Sequence, residues 1–420
     1  MAAVYHGASL TGRTVAQSRA VHLRTVKALF VLLIASSPLA AQTSDVISFQ
    51  RTFLLRNVSG TAFNPGDAPH HPILWTRGAW TTFVEGSAAV AQVSETGPAD
   101  PQSGTFSVNW IGAGAQRTLG RRGLVLVRAR GSLEPATIQN DGYPQLLQVV
   151  SPESGGPLLD RMRAHEAISE VGIDLAFRTS SASFLHLYAA PIGDPALGAV
   201  PFAQRAASEE FVEAPFAYDV QEPWHYATSV VTAGLGTPYV TLEASVFHHA
   251  VTTGRHSSLD TGGDIDSRSA RLTLSARNVA LQLSRGELTD ADLAISSASL
   301  AWNAERGAAS VIYTKRELRP ELDLASLSAE GLLRGGRNLV MARVETVDRP
   351  PEAIPFVGRK RTTHFTVGYL FDALKLDAFR AGVGVNIDYH TATRELEAIY
   401  GHKPQSIYVY VRLRTDSAQR

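Results

Sequence analysis

The segment Ile407-Tyr408-Val409-Tyr410-Val411-Arg412-Leu413-Arg414 sets four aliphatic residues on one side and two tyrosines and two arginines on the other. Successive side chains of a strand point to opposite faces, so this alternation marks a strand with one apolar and one polar face. The pattern recurs down most of the chain. Phe106, Val108 and Trp110 alternate with Ser107 and Asn109, and Val125, Val127 and Ala129 with Leu126, Arg128 and Arg130. Val240, Leu242, Ala244 and Val246 oppose Thr241, Glu243 and Ser245; Leu272 and Leu274 oppose Arg271, Thr273 and Arg277. Val340, Ala342 and Val344 oppose Met341, Arg343 and Glu345, and Val383, Val385 and Ile387 oppose Gly384, Asn386 and Asp388.

The apolar rows run about eight to ten residues, enough for a tilted strand to cross a hydrocarbon layer. The rows opposite carry Arg, Glu, Asn and Gly, whereas a soluble sandwich or jelly roll would turn its apolar rows inward and a Lys-rich face to water. The pattern predicts an all-β fold, a transmembrane antiparallel β-barrel of about 16 strands with 14 as the alternative, lipid outside and a polar lumen within.

The N-terminus supports export. Arg24 and Lys27 precede the apolar run Ala28-Leu29-Phe30-Val31-Leu32-Leu33-Ile34-Ala35, followed by small residues through Ala40-Ala41. A positive region, a short apolar core and a small-residue exit describe a cleavable secretory signal over 1–41. Residues 42–79, rich in Asn, Pro, Gly and His, are expected to be an irregular periplasmic lead-in. The barrel is expected over 80–415, interrupted by an irregular segment around 131–167.

The chain has no cysteine, which excludes disulfides and thiolate chemistry and suits passage through an oxidising periplasm. Basic and acidic residues balance at 39 each, leaving no broad electrostatic case for nucleic acid. No Gly-x-Ser-x-Gly elbow and no phosphate-cradling Gly-Lys-Ser/Thr loop occurs, so no catalytic residue and no cofactor is assigned and an enzyme is not expected.

Between the alternating stretches lies a run of a different kind. It contains Leu133-Glu134-Pro135-Ala136-Thr137, Gly142-Tyr143-Pro144-Gln145, Pro157-Leu158-Leu159-Asp160-Arg161 and Pro191-Ile192-Gly193-Asp194-Pro195-Ala196-Leu197-Gly198. In these motifs the chain resembles a family of uncharacterised, porin-like outer-membrane β-barrel proteins of Gram-negative bacteria. The resemblance implies a barrel in the outer membrane and no settled activity. Its members carry a histidine-rich stretch after Asp-Arg, where this chain has Met162-Arg163-Ala164-His165-Glu166. One imidazole is too few for a zinc site, so His165 and Glu166 do not make a metal centre by themselves. The pairs His70-His71 and His248-His249 and the acidic loop Asp260, Asp264 and Asp266 also lack metal-binding spacing.

The expected lumen or constriction residues are Arg128, Arg130, Glu134, Asp160, Arg161, Arg271, Arg277, Arg343, Glu345, Arg412 and Arg414, with Glu243 and Asp388 also facing inward. Charges in a barrel interior either stay wet and select solutes or pair and fill the space. The first case is an outer-membrane pore passing small polar solutes by diffusion. The second is a closed structural or ligand-binding barrel with a charge-filled lumen and no conductance. The partners expected are outer-membrane lipid and lipopolysaccharide, and small polar solutes if the pore is open.

Overall fold

A computed structural model describes residues 54–66, 72–96, 102–138, 142–150, 159–222, 227–249, 263–289, 292–318, 322–349, 360–391 and 393–416. The signal over 1–41, the His70-His71 pair and Asp260 lie outside the described residues, as does the side chain of Asp160.

Sixteen antiparallel strands close into a barrel, the larger of the two counts expected. They are β1 (Trp80–Glu95), β2 (Ser103–Leu119), β3 (Gly123–Gly131), β4 (Ile168–Arg178), β5 (Phe184–Gly193), β6 (Ala227–Gly236), β7 (Val240–His248) and β8 (Ser267–Ala276). Then follow β9 (Val279–Leu288), β10 (Leu293–Ala304), β11 (Gly307–Leu318), β12 (Leu322–Gly335), β13 (Asn338–Arg349), β14 (Lys360–Lys375), β15 (Phe379–Thr391) and β16 (Gln405–Thr415). Each pairs with its chain neighbour, and β16 closes on β1 from Ser406↔Glu95 to Arg414↔Ser87. Closure leaves no edge among the sixteen, as the hydrocarbon layer requires; a short strand, Ile73–Arg77, in the stretch expected to be irregular, adds a hairpin on the start of β1. Among the described residues no helix is long and apolar enough to cross a membrane.

The two rims differ. At one, neighbouring strands are joined by tight turns such as Arg277-Asn278, Glu305-Arg306 and Gly336-Arg337. At the other, the connections include 132–167, 194–226, 249–266 and 392–404. Short turns on one side and long loops on the other are the asymmetry of outer-membrane barrels. Exposed Trp80, Phe177, Tyr239, Trp302, Phe371 and Phe379 lie toward the tight-turn rim, as an interfacial aromatic belt does.

The last strand shows the sidedness of the wall. Ile407, Val409, Val411 and Leu413 are 39–59% exposed, while Tyr408, Tyr410, Arg412 and Arg414 are no more than 5% exposed. Aliphatic rows thus face outward and polar rows inward.

Two departures have local causes. Phe106, Val108 and Trp110 form the inward row of β2, against the general rule for apolar rows. Phe106 stacks on Tyr143, with ring centroids 4.1 Å apart, so this part of the wall meets an apolar neighbour inside the barrel. Arg277 does not face the lumen: β8 ends at Ala276, and Arg277 sits exposed in the turn with φ +45°.

Candidate functional site

The inward rows meet other parts of the same chain. Residues 54–66 were expected to lead in from the periplasm, but they lie within the barrel as a strap. A small hairpin, Asn57–Ser59 against Ala62–Phe63, turns at Gly60 with φ +50°. A Cβ there would lie 2.4 Å from the carbonyl oxygen of Asp194, so only glycine fits.

Arg128 holds this turn. Its Nη1 donates to the carbonyl of Asn57 at 2.6 Å and its Nη2 to that of Gly60 at 2.8 Å. Nε and Nη2 also reach Glu170 on β4 at 3.0 and 2.6 Å, in a two-pronged pair that suits the planar guanidinium. Arg130 bridges Glu170 and Glu85 at 3.1 Å each. Farther round the wall, Arg271 donates to Glu243 at 2.9 Å and to Thr61 of the strap at 2.7 Å. Asn303 on β10 donates to the carbonyl of Pro65 at 3.1 Å. The strap therefore bonds to β3 and β4, to β8 and to β10.

A second segment, 194–222, follows β5 and is buried along almost its whole length. It begins in the motif Asp194-Pro195-Ala196-Leu197-Gly198. The backbone N–H groups of Ala196 and Gly198 donate to Ser245 on β7 and Ser284 on β9, each at 2.8 Å. Leu197 packs over Gly286, where a Cβ would meet its methyl carbon at 2.7 Å.

Further along, Arg205 pairs with Glu330 on β12 and with Glu222. Glu210 receives Arg334, Arg412 and Arg414 from the wall, at 2.7, 2.5 and 2.5 Å. Glu345 on β13 accepts the N–H groups of Phe216 and Ala217, both at 3.0 Å. Arg343 pairs with Glu330 at 3.0 Å and lies over the Phe211 ring at 4.1 Å. The strap and this loop also touch, Asn64 donating to the carbonyl of Gln204 at 2.8 Å.

The described parts of the third segment, 132–138, 142–150 and 159–166, pack on the loop and the wall. Glu134, within the short helix Glu134–Thr137, accepts the N–H of Asn109 at 3.0 Å, and both the N–H and Nδ1 of His165 at 2.8 and 2.7 Å. Burial would lower the His165 imidazole, but the carboxylates of Glu134, Glu222 and Glu166 together raise it above its ordinary value. Tyr143 accepts the N–H of Ala214 at 3.1 Å, and Gln145 donates to the carbonyl of Ala214 at 2.8 Å. Arg161 donates to the carbonyl of Gly142 at 3.0 Å and so braces its own hairpin rather than a wall strand. Among the described residues no three His, Asp or Glu side chains are placed to hold a metal ion. A cavity of about 70 Å³, lined in part by Asn109, Glu134, His165, Phe202, Glu209 and Arg412, lies between loop and wall.

Alternation thus located the wall charges Arg128, Arg130, Arg271, Arg343, Glu345, Arg412 and Arg414, which the fold turns inward. It missed Asn57, Thr61, Arg205, Glu210 and Glu213, which lie in segments with no period. The one signal for those segments was the unusual density of Pro, Gly and charged residues where strands would otherwise continue.

No protein-family model and no curated protein matches the chain. Among solved structures, it is similar to OmpF of Salmonella typhi in complex with daunomycin, with TM-score 0.53 and 7% identity over 81% of this chain and 100% of that one. It is also similar to a loop L8 deletion mutant of OmpT, an outer membrane protein of Vibrio cholerae (TM-score 0.49, 11% identity, 80% and 100% covered). A third is an anion-selective porin from Comamonas acidovorans (TM-score 0.48, 12% identity, 80% and 99% covered). The fold is that of a porin-like outer-membrane β-barrel.

Proposed function

We propose that this protein is an outer-membrane barrel whose lumen is closed by its own chain, the strap 54–66 and the loop 194–222 acting as an internal plug. One observation carries this reading. Glu210 of the loop is 3% exposed and takes three wall arginines at once, Arg334, Arg412 and Arg414. A charge-selecting pore keeps such groups wet and facing the solute, and a filled lumen pairs them. A buried carboxylate shared by three guanidinium groups is a holding device, since losing one partner strands the other charges without water. The setting is the outer membrane of a Gram-negative bacterium, with lipid and lipopolysaccharide against the aliphatic rows.

The second reading, diffusion of small polar solutes, is favoured by the porin-like wall itself. The two readings meet if the plug moves aside. Conductance in planar bilayers separates them. The full chain should be silent, and a variant with 196–222 replaced by a short Gly-Ser linker should give stepwise currents. Steady wild-type steps of the same size as those of the shortened variant would overturn the closed lumen.

A further inference from the structure

Four buried oxygen-bearing side chains at the junction of loop and wall are left with atoms that find no hydrogen-bond partner. They are Glu213 (Oε1) on the loop, Asp388 (Oδ2) on β15, and the hydroxyls of Ser406 and Tyr408 on β16. All four residues are 0% exposed. The register brings them into one patch: Asp388 lies directly opposite Ser406, and Asn386 directly opposite Tyr408. Asn386 in turn donates to Glu213 at 2.6 Å, which sets the loop carboxylate over these positions. Thr366 on β14 satisfies the other oxygen of Asp388 at 2.6 Å.

The buried charges around this patch do not balance. Among the described residues, Glu213, Glu330, Glu345 and Asp388 are met by two guanidinium groups, Arg205 and Arg343. His364 and His390 stand close by, but their Nδ1 atoms are 2.8 Å apart, so one must accept and the pair carries at most one positive charge. Among the described residues, these four carboxylates thus share two guanidinium groups and the one charge the histidine pair can carry between its two Nδ1 atoms. In the adjoining cluster the balance leans the other way, with Glu209, Glu210, Asp372 and Asp416 against Arg334, Arg380, Arg412, Arg414 and the exposed Lys375.

We propose that Glu213, Asp388, Ser406 and Tyr408 hold a hard cation of the Ca²⁺ class, which clamps the loop to the wall. The donors are all oxygen, which suits Ca²⁺ or Mg²⁺ and disfavours zinc and copper. Ca²⁺ accepts six to eight oxygens in loose geometry at about 2.3–2.6 Å, so two carboxylates and two hydroxyls leave room for water to complete the shell. Mg²⁺ demands a tight octahedron and is the poorer fit to ligands drawn from a strand pair and a loop.

The site rests on the loop being seated as the proposed function has it, and its test uses a separate readout. Full-length protein refolded in lipopolysaccharide-free detergent is stripped with EDTA and dialysed against radioactive Ca²⁺ while thermal unfolding is followed. The wild type should bind one Ca²⁺ per chain and unfold at a higher temperature in its presence. E213Q and D388N should each weaken binding at least about tenfold and, in EDTA, be more stable than the wild type because an unbalanced charge is gone. E287Q, at an exposed pair with Arg268, should bind as the wild type does.

Absence of bound Ca²⁺, or binding that survives both substitutions, would overturn the site. So would neutral variants stabilised in EDTA beside a wild type that binds none, since protons would then supply the missing charge. A wild type that conducts yet binds Ca²⁺ refutes the closed lumen alone, and a silent wild type that binds none refutes the site alone.

Discussion

A methyl group at Gly384 would sit 2.3 Å from the ring of Tyr410, so this inward position on β15 is empty because a neighbouring ring fills it. Gly384→Ala should therefore cost about 1–3 kcal/mol through overpacking. At Gly335, where nothing lies within 4 Å, alanine should change stability by less than about 0.5 kcal/mol. Urea midpoints of the two variants check the contrast. Arg128→Met leaves Glu170 buried without its main partner and should cost about 3–5 kcal/mol, whereas Arg277→Ala, in an exposed turn, should be close to neutral.

Acidity enters at the same scale. Burial pushes the Glu213 carboxyl up to about 7, against the pull of Arg343 and the hydrogen bond from Asn386. A carboxyl raised in the folded state binds more protons there than in the unfolded chain. With divalent cations removed, stability should thus fall as pH rises from the ordinary carboxylate range toward about 7, and E213Q should flatten that slope. Unfolding midpoints across that range in EDTA, identical in slope for both proteins, would contradict the assignment.

The strands and the inserted segments were unequally legible, for a physical reason. A strand in a wall between oil and water repeats every two residues, so β16 and the inward arginines Arg412 and Arg414 could be placed from their spacing alone. Their partner Glu210 could not, because a loop held by long-range ion pairs carries no period. The run of Phe106, Val108 and Trp110 misled for a related reason: alternation reports that two faces differ, and the occupant of the lumen decides which face turns in. Arg277 shows the boundary error, where a row continued one residue past the strand enters a turn. The motifs at Glu134, Tyr143 and Asp194 stood out as irregular, and each lies where an inserted segment grips another element. If these segments are seated, the amides of Gly60, Ala196, Gly198, Phe216 and Ala217 should be protected from hydrogen exchange nearly as well as the wall strands. Peptides covering 194–222 that exchange as fast as an exposed loop would contradict this.

For the molecule as a whole, a wall of porin type does not fix the contents of its lumen. The outer face follows the demands of lipid, with aliphatic rows and an aromatic belt toward the tight-turn rim. Val409→Arg, in the middle of the outward row of β16, should cost about 2–4 kcal/mol of stability in lipid vesicles. The inner face follows the chain's own strap and loop. Because the protein has no cysteine, a single engineered pair reports on that packing without interference. The backbone N–H of Ala196 lies 2.8 Å from the Ser245 hydroxyl, so the A196C/S245C variant should form a disulfide between loop and wall in the folded, membrane-inserted protein. Near-complete crosslinking, read by mass spectrometry of the digest, is the expected result. A fully folded barrel in which the two cysteines remain free under oxidising conditions would contradict a lumen closed by its own chain.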